Sequence, residues 1–179
     1  EYLVAHLYSD LDLINLHAKD ETVLRDILLG RYDDELNRGM AWNQHAAEKM
    51  YEYLELQDIR QLPTSMADIQ SRFSDIPYGW REIDIAAVAA KLIYDQKVKV
   101  KYAGTTIRSD DPKLPEMLHK KSEVGKVNVS IRHKISELKR RKSREFLRAY
   151  FEVMDVPEDE DGMIKFIVNN FTESRQHYV

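Results

Sequence analysis

The chain has 179 residues, a net charge of −4 and 43% hydrophobic residues, enough apolar material for one compact domain or two small ones. It has no cysteine, which excludes disulfides and thiolate metal sites and makes the reducing cytoplasm the expected home. No apolar run nears the ~20 residues that span a bilayer, Glu1-Tyr2-Leu3-Val4 carries no basic leader, and the termini read as internal to a longer protein.

The charge is segmented. Residues 1–60 hold thirteen acids against six Lys/Arg, residues 119–148 hold eleven Lys/Arg against three acids, and residues 149–179 return to seven acids against two bases. A basic block between acidic flanks marks either nucleic-acid contact or neutralisation of the same protein's acids.

Leu3, Leu7, Leu11 and Ile14 recur at helical spacing, which predicts a helix within 2–16. Asp20 is placed to cap a second helix bearing Val23, Leu24, Ile27 and Leu28, and Gly30 to end it. A third helix is expected over 33–57, with Leu36, Met40, Ala47, Met50, Tyr51 and Leu54 as its apolar positions. Leu62-Pro63 breaks this all-helical, acidic third. Ser65 with Asp68 resembles a capping box for a short helix reaching Phe73. Pro77-Tyr78-Gly79-Trp80 is a turn, in which Trp80 is expected to be buried. A helix over 81–95 follows, with Ile85, Val88, Ala89, Leu92 and Ile93 on one face. Lys97-Val98-Lys99-Val100-Lys101-Tyr102 alternates, the pattern of a half-buried strand. Ala103-Gly104-Thr105 turns the chain into a second strand at Thr106-Ile107-Arg108. Asp111-Pro112 opens a short helical stretch that Pro115 limits, and Val127, Val129 and Ile131 suggest a third strand. A long helix over 134–154 and a last one over 158–172 complete the chain. In the last, Ile164, Ile167, Val168 and Phe171 are expected inward.

These elements predict an α+β, mostly helical fold with a winged-helix-like centre and a small antiparallel sheet, flanked by helices. The expected organisation is an acidic helical segment at 1–62, a winged-helix-like unit at 63–133 and C-terminal helices at 134–179.

The sequence offers no catalytic residue. It has no phosphate-cradling glycine loop, no dinucleotide fingerprint, no serine elbow and no cysteine nucleophile. None of the six histidines forms a metal-binding pair. Asp33-Asp34-Glu35 and Glu158-Asp159-Glu160-Asp161 do not match a calcium loop, and the second cluster is read as favouring a helix N-terminus. Neither a metal nor another cofactor is expected.

Two features suit binding. Lys97, Lys99 and Lys101 share one face of the predicted strand, either protecting a sheet edge or forming a basic wing that touches phosphate. On the helix at 134–154, Arg140, Arg141, Arg144 and Arg148 lie within roughly a 100° arc. Ile135, Leu138, Phe146, Ala149, Tyr150 and Val153 gather opposite, so the apolar stripe is expected to dock and the arginines to be presented. Arginine forks fit phosphates and carboxylates alike.

Pro77-Tyr78-Gly79-Trp80, the helix with Ile85-Ala86-Ala87-Val88-Ala89, and Lys97 to Gly104 ending in Tyr102-Ala103-Gly104 resemble a C-terminal region of the large P-loop ATPase subunit of BREX phage-exclusion systems. Lys121-Ser122-Glu123, Val127-Asn128-Val129 and Pro157-Glu158-Asp159-Glu160 extend the resemblance across about 63–172. It implies a bacterial, ATP-binding parent whose nucleotide site lies upstream, and it carries over no catalytic residue. The implied partners are the remainder of that ATPase and other defence-complex subunits, with DNA a candidate and no membrane. The expected function is a non-enzymatic accessory domain of that ATPase in phage defence, contributing to complex assembly, with nucleic-acid contact as a candidate further task. The alternative is a purely structural protein–protein interaction domain that binds no nucleic acid.

Overall fold

The computed structural model describes residues 6–32, 42–133, 136–158 and 160–176. The chain forms two compact units, 1–132 and 133–179.

The first unit contains α1 (Glu21–Leu28), α2 (Gln44–Ile59), α3 (Met66–Ser74), α4 (Glu82–Tyr94), β1 (Val98–Tyr102), β2 (Thr105–Ile107), α5 (Leu114–His119) and β3 (Val127–Ile131). The capping signals act as their residue types require. Asp20 accepts from the Thr22 backbone N–H at the start of α1, and Ser65 and Asp68 form a reciprocal capping box on α3. Pro115 sits in the first turn of α5, where a missing N–H leaves no bond unmade.

The sheet is antiparallel with order β2-β1-β3. Val100 pairs with Ile107 and Val129, and Lys101 with Thr106 and Asn128. A further bridge, Ser65 to Asn128, adds a short edge beside β3 just before α3. Helix α3, the Tyr78–Trp80 turn, α4 and the β1–β3 ladder make the winged helix-turn-helix. Its wing, residues 103–126, carries β2 and α5. The inward side chains of the sheet, Val98, Val100, Val127, Val129 and Ile131, join Phe73, Trp80, Ile85, Leu92 and Met50 in one core. Residues before position 62 contribute to the same core through Ile14, Leu24, Ile27 and Leu28.

The N-terminal stretch differs from the helix that its spacing suggests. Leu3 lies outside the described residues, and the regular structure between 8 and 20 is a 3-10 turn at Leu11–Leu13. Its backbone groups find side chains rather than their own helix. The N–H groups of Asn15 and Leu16 both donate to Asn43 Oδ1, at 2.9 and 3.0 Å. Asn43 returns its own backbone N–H to Asn15 Oδ1 and its amide to the Leu16 carbonyl. The helix expected over 33–57 begins at Gln44; positions 33–41, with Leu36 and Met40, lie outside the described residues.

The second unit contains α6 (Glu137–Phe151) and α7 (Glu160–Gln176). Its buried centre is Leu147, Val156 and Met163, with Phe151, Val153, Phe166 and Ile167 packed around them. This corrects two expectations. On α6, Leu147 docks, while Leu138, Phe146 and Tyr150 are 54%, 64% and 58% exposed; Ile135 lies outside the described residues. On α7, Ile164, Val168 and Phe171 face solvent and Met163 is buried. The cause is the 152–158 connection, which folds back along α6 and brings Val156 onto Leu147. The inward direction of α6 therefore turns toward its arginine side.

Candidate interaction surfaces

Helix α4 holds the position of a recognition helix, the second helix of the helix-turn-helix. Its sequence, Glu82 to Tyr94, is apolar on more than one face. Ile85, Ala86, Ala87, Val88, Ala90 and Leu92 are all completely buried. Helices α1, α2, α3 and α5 and strand β1 all pack against it. A helix that is apolar all round can only be stable inside a protein, and the alanines let its neighbours approach closely. Its one base, Lys91, lies 3.5 Å from Asp95.

The N-terminal end of α4 is closed by a polar clasp. Asp84, 1% exposed, accepts from Arg81 Nε at 2.7 Å and Nη2 at 3.0 Å, and from the Ala18 backbone N–H at 2.7 Å. His17 Nδ1 is 2.8 Å from the same carboxyl. Arg81 Nη2 also donates to the Ala18 carbonyl. Burial works against ionisation of Asp84, but the bonds from Arg81, His17 and Ala18 outweigh it and hold its carboxyl below the ordinary carboxylate range. A buried carboxylate surrounded by donors in this way keeps its charge. The clasp fixes the 14–18 segment over the end of the helix that groove-reading proteins present to DNA.

The sheet places the predicted lysines on its outward face. Lys99 and Lys101 are exposed there beside Thr106, Asn128 and Ser130, and neither lysine has an ion-pair partner among the described residues. Lys97 is set apart from them. Its Nζ lies 5.6 Å from the centre of the Tyr51 ring, a cation–π distance.

The predicted arginines belong to the second unit and behave differently from one another. Arg144 is structural: Nε and Nη2 donate to the Val156 carbonyl at 3.3 and 3.2 Å, and Nη1 to Glu158 at 2.8 Å. Glu158, expected at a helix start, is thus the partner of Arg144. Arg141 reaches Glu145 only at 3.8 Å. Arg140 and Arg148 have no ion pair among the described residues. A cavity of about 590 Å³ opens between Glu137, Leu138, Arg140, Arg141, Arg144 and Glu158. Carboxylates and guanidinium groups both line it, so it has no single sign of charge with which to select an ion.

The sequence did not signal the clasp, because Asp84, His17 and Arg81 are ordinary residues until the fold brings positions 17 and 84 together. Among the described residues no cluster of acids and histidines could hold a metal, and no helix is long and apolar enough to cross a membrane. A family model described as the BREX ATP-binding protein BrxC winged helix-turn-helix domain matches residues 10–133. The match includes the segment that the Asn43 and Asp84 contacts hold. No solved structure gives a significant match to the chain.

Proposed function

Because the chain belongs to the family of BREX ATP-binding protein BrxC winged helix-turn-helix domains, a family of bacterial phage defence, we propose that it is a non-catalytic docking module that helps assemble the defence complex around that ATPase. The burial of α4 carries this reading. A helix that reads a major groove must offer an exposed face with side chains that reach base edges. Here that helix is a core element, buried without a break from Asp84 to Ala90. Nucleotide chemistry belongs to other parts of the parent protein. The test is co-purification: a tagged chain should retain the remaining ATPase polypeptide and other complex subunits from a reconstituted mixture. Failure to retain any of them sinks the assembly role.

A second reading is favoured by the bare outer face of the sheet, on which Lys99 and Lys101 stand among hydroxyl and amide side chains. Phosphate contact through that face would be independent of sequence, with Arg140, Arg141 and Arg148 as further proposed contacts and Arg144 already committed to its own unit. Fluorescence anisotropy with labelled duplex DNA across a salt series separates the readings. Phosphate contact requires affinity to fall by about 0.9 log units per log unit of salt for each phosphate neutralised. Replacing Lys99 and Lys101 with Ala should then lower the slope by up to about two. The docking reading expects no binding at ~50 mM salt, where the electrostatic contribution is near its strongest.

A further inference from the structure

The second unit, taken by itself, has an apolar face that none of its described residues covers, and its surroundings indicate what fits it. Phe146 stacks on Tyr150 with ring centres 5.7 Å apart, and Tyr150 meets Phe171 of α7 at 6.0 Å. This joins the outward stripes of the two helices. Ile164 and Val168 continue the α7 stripe, two turns and one turn before Phe171 respectively. All five side chains are more than half exposed: Phe146 64%, Tyr150 58%, Ile164 52%, Val168 57% and Phe171 51%. Together they leave about 500 Å² of apolar surface in water, as large as the largest patch on a typical monomer and a good part of one side of a standard protein interface.

Three lysines share the exposed sides of these two helices. Lys142 lies one turn before Phe146 and Lys139 two turns before it, so both share its side of α6. Lys165 lies one turn before Val168. All three are exposed, and none has an ion-pair partner among the described residues. The cations that do have partners, Arg141 and Arg144, lie elsewhere on α6.

Resting on the docking role proposed above, we infer that this face receives an amphipathic helix from a partner polypeptide. Apolar side chains of that helix at i, i+3, i+4 and i+7 would cover Phe146, Tyr150, Val168 and Phe171, and its flanking Asp/Glu residues would meet Lys139, Lys142 and Lys165. Helix-in-groove recognition takes this form, with apolar anchors supplying affinity and rim charges supplying selection.

The test uses the whole chain and two synthetic helical peptides of about 18 residues with the same Leu anchors, one flanked by Glu and one by Lys. In fluorescence anisotropy the Glu peptide should bind about tenfold or more tighter than the Lys peptide, since rim charges of unlike sign select partners. The triple variant Lys139→Glu, Lys142→Glu, Lys165→Glu should reverse that ranking, and Val168→Asp should abolish binding of both. Unchanged thermal melts of these exposed-site variants show that each is folded. The inference is overturned by equal binding of the two peptides, by no binding of either, or by sedimentation showing that the chain dimerises through Val168. Co-purification keeps this apart from the docking role. If the triple variant is retained by the ATPase as well as the unaltered chain is, the surface is wrong and docking stands. If the unaltered chain is not retained while the peptide ranking and its reversal hold, docking on that ATPase fails and the surface stands.

Discussion

Asp84 concentrates the physics of the first unit in one carboxylate. It is buried, it is charged, and four donors from residues 17, 18 and 81 converge on it. Because its folded pKa is depressed, the stability it supplies is present above the unfolded carboxylate pKa and is lost as pH falls through the lower folded value. Asp84→Asn should therefore cost about 2–3 kcal/mol at pH 7, with the gap to the unaltered protein narrowing below about pH 4. Urea unfolding at the two pH values measures this; a constant gap would show that the carboxylate charge contributes nothing. Trp80 is the second test. It stacks on Phe73 at 4.8 Å with an interplanar angle of 12° and donates its indole N–H to the Asp10 carbonyl. Trp80→Ala should cost about 3–5 kcal/mol, and an unchanged melting temperature would contradict the burial. Gly79 is the third. Its φ is +65°, and a Cβ there would meet the Tyr8 ring at 2.6 Å. Gly79→Ala should lose about 1–2 kcal/mol from backbone strain alone, read as a lowered urea midpoint with an unchanged slope.

At the scale of elements, periodicity located most helices and strands but assigned the wrong face to two of them. The strand at Val98–Tyr102 was legible because alternation leaves one choice of inward side, and the capping box of α3 because both partners lie within one turn. Helix α6 was not. Its residues offer two apolar directions, one through Phe146 and Tyr150 and one through Leu147 and Phe151, and only the returning Val156 decides between them. Arg144 fixes that return, so Arg144→Ala should lower the stability of the second unit by about 1–3 kcal/mol through the lost bonds to Val156 and Glu158. Arg148→Ala should stay within about 0.5 kcal/mol, as exposed charges without partners do. Hydrogen exchange of the α6 and α7 amides distinguishes the two; equal protection in both variants would remove Arg144 from its structural role. Helix α4 shows the converse. Its single apolar stripe was evident, whereas its all-round burial was foreshadowed only by the small Ala86, Ala87 and Ala90.

At the scale of the molecule, the winged helix-turn-helix is complete as a fold, yet the element that reads DNA in proteins of that architecture is enclosed by α1, α2, α3 and α5. The proposals above therefore rest on other surfaces, the lysine face of the sheet and the apolar face of α6 and α7.

By itself the sequence determined the fold class, the order of the elements and the resemblance to a phage-exclusion ATPase. Those depend on local propensity, on caps and turns that span a few residues, and on motifs read in line. Tertiary structure alone decided which apolar stripes were covered, that positions 17 and 84 meet, that Arg144 is committed to Val156 and Glu158, and that α4 is buried on nearly every side. Each of these depends on which of several competent surfaces finds a partner, and that choice is made by contacts beyond the reach of one element's own periodicity, from Arg144 with Val156 to Ala18 with Asp84.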